Sequence, residues 1–301
     1  MELVFQMFLL MGIGILCGKM KWLDSMGAKQ MTNLLLKVVT FCVVVESFVS
    51  VTYSAEKVKF LLTAVIACLL ASGVGLALSL LMFRKGECAR RSVLRFGTVF
   101  SNCGFMSLPL VSALLGAEGV FVVSVYVAVF QSLCWTLGVK LYNQFDSKQA
   151  LKRMFLNPGV ISVLIGLPLF LLQVKIPSVI LSPMGMLADL NTPVAMVVTG
   201  FYLSKMALKI QKGDGAVLLA SALRLIVVPA IVFGLLYALG IRGFLLTACI
   251  IPVCAPSASN TSLFAVMFGG DEVYASRLVS ICTLLSIFTM PFMIAFAQIT
   301  L

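Results

Sequence analysis

Two stretches of this 301-residue sequence set hydroxyl, amide, glycine and proline residues inside long apolar runs. The first is Ser101-Asn102-Cys103-Gly104-Phe105-Met106-Ser107-Leu108-Pro109. The second is Pro252-Val253-Cys254-Ala255-Pro256-Ser257-Ala258-Ser259-Asn260-Thr261-Ser262. Proline removes a main-chain donor and clashes with the preceding turn, and Ser, Thr and Asn offer the main chain competing hydrogen bonds. Each stretch therefore predicts an unwound segment between two half-helices. A half-helix N-terminus carries unfilled N–H groups and partial positive charge. Two such breaks meeting in mid-membrane predict an anion site that needs no buried Lys or Arg. One break alone also reads as a proline kink satisfied by a neighbouring helix; two at matching places favour the ligand site.

The candidate substrate-binding residues are Asn102, Cys103, Gly104, Ser107 and Pro109 from the first stretch, and Pro256, Ser257, Ser259, Asn260 and Thr261 from the second. Gln131 and Trp135, one helical turn apart, would line the pocket with an amide and an aromatic face, or simply pack. Charges inside apolar spans are functional candidates by default. Glu46 falls toward the outer end of one span. Asp189 falls near the middle of another, suited equally to proton coupling or to a structural ion pair. Lys37, Arg95 and Arg224 lie a few residues in from the cytoplasmic side. Snorkelling accounts for Arg95 and is open to Lys37 and Arg224.

The elements that must position these residues follow from composition. The chain is 61% hydrophobic and 11% charged, with mean hydropathy +1.12, whereas a soluble domain carries about 25% charged residues. Main-chain groups in lipid must be satisfied internally, which leaves helices or closed barrels. Barrels alternate apolar and polar residues in short segments; the runs here are long and unbroken, so helices are expected. With about 20 apolar residues needed per crossing, the spans fall near 3–18, 30–52, 60–83, 92–115, 120–139, 157–174, 178–204, 216–239, 243–268 and 278–299. Met1–Gly18 lacks a basic leader and a small-residue cleavage site, so it reads as a retained first helix. With the N-terminus outside, the inner connections hold fifteen Lys and Arg, Lys209 and Lys212 among them, and the outer ones hold four. That bias orients ten spans in the cell membrane with both termini outside.

The net charge of +11 then belongs to inner loops, and no soluble basic face exists for nucleic acid. The nine Cys include no C-x-x-C pair and mostly sit in apolar runs, and there is no His. This argues against zinc sites and His-activated nucleophiles, so neither an enzyme nor a cofactor is expected. The chain also reads as doubled. Gly116-Ala117-Glu118-Gly119 and Gly269-Gly270-Asp271-Glu272 are offset by 153 residues. The expected division is a first five-helix repeat over 1–145, a cytoplasmic linker over 146–156 and a second, inverted repeat over 157–301. Inverted repeats with a midplane site are a recurring transporter design.

At these residues the chain resembles the auxin efflux carrier family, which includes bacterial malonate-type carriers and the plant auxin exporters. Asn102 followed by Pro109 is similar to the family's fourth-helix crossover. Gln131-x-x-x-Trp135 matches its fifth-helix pattern, and Asn157-Pro158 resembles the start of its sixth helix. Pro256 through Phe264-Ala265, Gly269-Gly270-Asp271 and Pro291 are similar to its last two helices. The chain departs from the family at Cys42 and Thr261, where Pro is usual or occurs in plant members, and at Thr136, where Tyr is frequent. The resemblance implies an all-α fold of two inverted five-helix repeats with broken fourth and ninth helices. It further implies a scaffold of helices one, two, six and seven, a transport domain of the other six, elevator-like movement and a homodimer.

The expected function is secondary transport of a small organic anion, a malonate-like or auxin-like carboxylate, with proton coupling, sodium coupling and potential-driven uniport all open. The alternative from another class is an intramembrane receptor or sensor that binds without transporting. The doubled layout argues against that reading, since a sensor has no need of two alternating gates.

Overall fold

The computed structural model describes residues 2–142, 147–205 and 214–299. The expected boundary at 145 and the inner-loop Lys209 and Lys212 lie outside the described residues. Among the described residues every regular element is a helix, apart from one isolated β-bridge. In chain order they are α1 (Glu2–Lys19), α2 (Ser25–Leu34), α3 (Thr40–Ser50), α4 (Ala55–Met82), α5 (Cys88–Val99), α6 (Leu108–Leu133), α7 (Ser147–Phe155), α8 (Pro158–Leu171), α9 (Ser178–Asp189), α10 (Asn191–Ser204), α11 (Gly215–Ala222), α12 (Val228–Ala238), α13 (Gly243–Cys254), α14 (Asn260–Phe268) and α15 (Glu272–Ile299). Single π-turns at Leu35–Val39, Cys103–Ser107, Cys134–Gly138 and Leu223–Val227 adjoin or join helices.

Six helical segments are long and apolar enough to cross a membrane: Ser25–Ser50, Ala55–Met82, Cys103–Gly138, Ser178–Ser204, Gly215–Ala238 and Glu272–Ala297. Gln6–Lys19, Pro158–Leu171 and Gly243–Cys254 are shorter apolar helices. Large apolar side chains such as Leu62, Val179, Phe288 and Phe292 lie exposed on the outside, where lipid, not water, is the compatible solvent.

The helices carry local features that the expected bounds leave unspecified. Between the spans expected at 92–115 and 120–139, two helices meet end to end at Gly116, whose φ of 62° and ψ of −158° are not helical, within the apolar stretch Cys103–Gly138. The span expected at 178–204 is α9 and α10, which meet at Leu190. The second span bulges at Leu35–Val39. In the linker expected at 146–156, residues 147–155 form the helix α7.

Local chemistry accounts for the starts. Ser54 caps α4 by accepting from Lys57 N at 3.2 Å, and Asn157 caps α8 by accepting from Gly159 N at 2.9 Å, with Pro158 at its first turn. Gly116 and Gly269 both adopt positive φ, 62° and 72°, the left-handed region glycine tolerates best. They are the two residues whose offset suggested a repeat.

Packing sorts by partner. The helix α1 lies along α10, and α3 packs on α8 and α9. The helix α4 packs on α5, α6, α12 and α13, while α15 packs on α5, α11, α13 and α14. Small residues set the closest approach: a Cβ on Gly14 would sit 2.1 Å from the Val197 carbonyl oxygen, and one on Gly200 would sit 2.0 Å from that of Met11. The α1–α10 pair is therefore a backbone-to-backbone contact, as membrane helices favour.

Candidate functional site

The two broken stretches cross. The helix α5 ends at Val99, α13 ends at Cys254, and the extended residues beyond them run antiparallel past each other. Asn102 N–H donates to the Pro256 carbonyl at 2.7 Å, and Ala258 N–H donates to the Phe100 carbonyl at 2.9 Å. Ser101 and Ser257 face each other across this short bridge. Beyond it the chain rewinds, at Cys103 in the first stretch and at Asn260 in the second. In lipid, unwound main chain persists only where its polar groups find partners, and each break supplies partners to the other.

The N-caps of the two rewound segments are Asn102 and Ser259, both residues of capping type. Neither side chain makes a cap hydrogen bond. The first-turn N–H groups are thus left without side-chain caps at the positive poles of two helical segments. Ser259 is exposed, and Asn102, Gly104 and Asn260 are half-buried. Ser107 Oγ, Thr261 Oγ1 and Gln131 Oε1 are buried with no hydrogen-bond partner among the described residues, an arrangement that is costly unless something else supplies one.

Other candidates have structural partners. Ser257 Oγ donates to the Gly97 carbonyl at 2.8 Å and Ser257 N–H to Cys282 Sγ at 3.3 Å, so this buried residue pins α13's continuation to α5 and α15. The Pro109 carbonyl accepts from Thr192 Oγ1 at 3.3 Å, a link from the crossover to α10. Cys103 and Pro256 are buried. The Trp135 ring packs on Phe264 of α14, centroids 4.8 Å apart, and the Arg153 guanidinium of α7 lies 5.2 Å from its centroid. Arg153 also approaches Met267 Sδ at 3.5 Å.

The charged candidates separate into two places. Glu46 and Asp189 lie within electrostatic reach of each other on the packed pair α3 and α9, with Glu46 close over Gly185. They form a pair of acids away from the bridge. Arg224 belongs to the crossover. Snorkelling does not apply to it: the side chain is 1% exposed, and its guanidinium donates to the carbonyls of Val99 (3.1 Å), Thr98 (3.4 Å) and Val253. Arg95 donates twice to the Phe83 carbonyl, at 2.8 and 3.1 Å, closing the end of α4, and Lys37 is exposed.

Two residues passed over in the sequence also stand here. Asn191, at the start of α10 beside Thr192, is 2% exposed with both amide atoms lacking partners among the described residues. Its signal was an amide in the interrupted run Asp189-Leu190-Asn191-Thr192-Pro193. Arg153 was legible as a basic residue near the end of a short amphipathic linker. Beside the crossover, Met7, Met11, Met106, Leu110, Met196 and Met290 help line an apolar cavity where α1 and α10 meet α6 and α15. Methionine suits such a place because it repacks readily.

A family model described as membrane transport protein matches residues 1–151 and 144–294, nearly the whole chain. The chain belongs to this family of membrane transport proteins, the auxin efflux carriers. Two archaeal relatives, each named an uncharacterised transporter, agree with that membership. The one from Methanothermobacter thermautotrophicus is 26% identical over 194 residues and the one from Methanocaldococcus jannaschii 27% over 197. Each match covers 63% of this chain and 63% of the relative. The family and the apolar helices together support an integral membrane protein of a transporter family.

Proposed function

We propose that this auxin efflux carrier family member is a secondary carrier of a small organic anion, a carboxylate of malonate-like or auxin-like kind, bound where the two breaks cross. The observation that carries the reading is the crossover: two unwound stretches hydrogen-bonded to each other, each leading into a helical segment whose capping residue leaves its first turn open. Such ends attract and hydrogen-bond negative groups, and half-helix ends at a midplane are a recurrent transporter site. Asn102, Ser107, Ser259, Asn260 and Thr261 would bond the carboxylate, and Gln131 and Trp135 would contact the rest of the molecule.

Elevator-type alternating access completes the proposal. Ten spans in two inverted halves have both termini outside and a scaffold of helices one, two, six and seven, through which a homodimer forms. The packing supports this division, since α1, α3, α8, α9 and α10 pack largely among themselves and reach the other helices mainly through α6. The Met-rich cavity falls on that boundary, where one part would slide against the other.

The test is counterflow of radiolabelled malonate and indole-3-acetate in proteoliposomes holding the full chain. Saturable exchange of either acid, lost in Asn102→Ala, supports the site. Thermal stabilisation by a carboxylate with no exchange of any would overturn transport in favour of a receptor.

A further inference from the structure

A broken helix exposes a negative end as well as a positive one. Here α5 and α13 both present C-terminal carbonyls at the crossover, and in other transporters such half-helix ends coordinate sodium ions. Arg224 meets them instead. One nitrogen, Nη1, donates to the Val99 and Thr98 carbonyls of α5, and the other, Nη2, donates to the Val253 carbonyl of α13. A single planar fork therefore joins the ends of both broken helices, a geometry that one ammonium cannot reproduce.

Acids elsewhere in the fold have partners of their own. Asp214 pairs with Arg277 at 3.0 Å, Asp271 with Arg90 at 2.9 Å and Glu118 with Lys57, while Glu46 and Asp189 belong to the packed pair α3 and α9. Among the described residues no acid forms an ion pair with Arg224. The guanidinium thus answers main-chain carbonyls, the ligand type an alkali cation would use.

We propose that Arg224 is the protein's resident cation: it occupies, by covalent attachment, the place between two negative helix ends that a sodium ion would otherwise have to fill, so the crossover assembles and works without sodium. The flux arm of the test rests on the carrier reading above; the stability arm does not.

The purified full-length protein is melted in sodium chloride and in choline chloride of equal ionic strength. Wild-type midpoints are expected to coincide. Arg224→Met should melt about 6–12 °C lower and regain part of that loss saturably with sodium but not with choline. Arg224→Lys, which keeps the charge and loses the fork, should melt between the two and stay indifferent to sodium. Saturable stabilisation of the wild type by sodium overturns the proposal, as does an Arg224→Met protein as stable as the wild type. If Arg224→Met fails to fold, the wild-type comparison decides alone. Malonate counterflow in proteoliposomes should run at equal rates in sodium and choline, and a tenfold sodium requirement overturns the proposal. Sodium-indifferent melting without flux of any carboxylate supports the resident cation and sinks the carrier reading.

Discussion

The main-chain N–H of Asn102 donates to the carbonyl of Pro256 across 2.7 Å, so the two interruptions of the helical pattern satisfy each other. With the reciprocal bond from Ala258 to Phe100, this contact makes one site of two distant breaks. Polar main chain inside an apolar protein is costly when unpaired, so the bridge explains how helices can stop there at all.

Because the Asn102 side chain caps nothing, its loss should be felt in transport more than in stability. Asn102→Ala is expected to lower carboxylate counterflow about tenfold or more, equivalent to roughly 1.4 kcal/mol of binding or transition-state energy. Its melting temperature should stay within about 3 °C of wild type. Unchanged flux in a folded variant would remove Asn102 from the site.

Gly116→Ala separates backbone strain from crowding. A Cβ there meets nothing within 4 Å, yet φ is 62°. The expected cost is about 1–2 kcal/mol, seen as a lowered unfolding midpoint. Gly104→Ala is the contrast. Its Cβ would lie at an ordinary 3.7 Å from Val127 Cγ1 with no positive φ, so stability should hold and any change in flux would report the site.

Gly200→Ala tests the contact between α1 and α10. The new Cβ would fall 2.0 Å from the Met11 carbonyl oxygen, and main chain cannot swing aside as a flexible side chain can. Overpacking of this kind costs about 1–3 kcal/mol. Thermal unfolding measures it, and an unaffected midpoint would mean the helices sit further apart.

The pH dependence of stability should have an acid limb from Asp271, at the mouth of α15. Its carboxyl is held below the usual carboxylate range by the Tyr274 N–H at 2.9 Å and by the Arg90 side chain. A lowered folded-state value contributes stability above the ordinary carboxylate pKa, about 4, and loses it as pH falls through the lowered value. Melting curves between about pH 5 and pH 3 should decline less for Asp271→Asn than for wild type. Parallel declines would exclude this group.

Much of this was legible in the sequence. Proline, Ser and Asn in mid-run marked both breaks, and Gly116 and Gly269, two of the glycines with positive φ, stood out by their offset of 153 residues. Hydropathy also located the apolar helices, because burial in lipid leaves long unbroken runs. What a pattern along the chain cannot supply is direction around a helix. Arg224 sits at a depth that permits snorkelling, and only its azimuth, toward Val99 and Val253, makes it part of the crossover. Ser257 reads like its neighbours, yet its hydroxyl is taken by Gly97. Trp135 was legible as an aromatic face, but its partners Phe264 and Arg153 come from two other elements. The break at Gly116 falls in the Gly116-Ala117-Glu118-Gly119 interval expected between the spans at 92–115 and 120–139.

A guanidinium fixed between helix ends cannot diffuse away as a bound ion can, and it remains protonated at any physiological pH. Any displacement of the crossover along the membrane normal therefore carries Arg224 with it, and the transmembrane voltage does work on the protein itself. For one charge crossing the whole field that work is about 2.3 kcal/mol per 100 mV. Under the proposed elevator movement, the resting potential of the cell would bias which side the crossover faces before any ligand arrives.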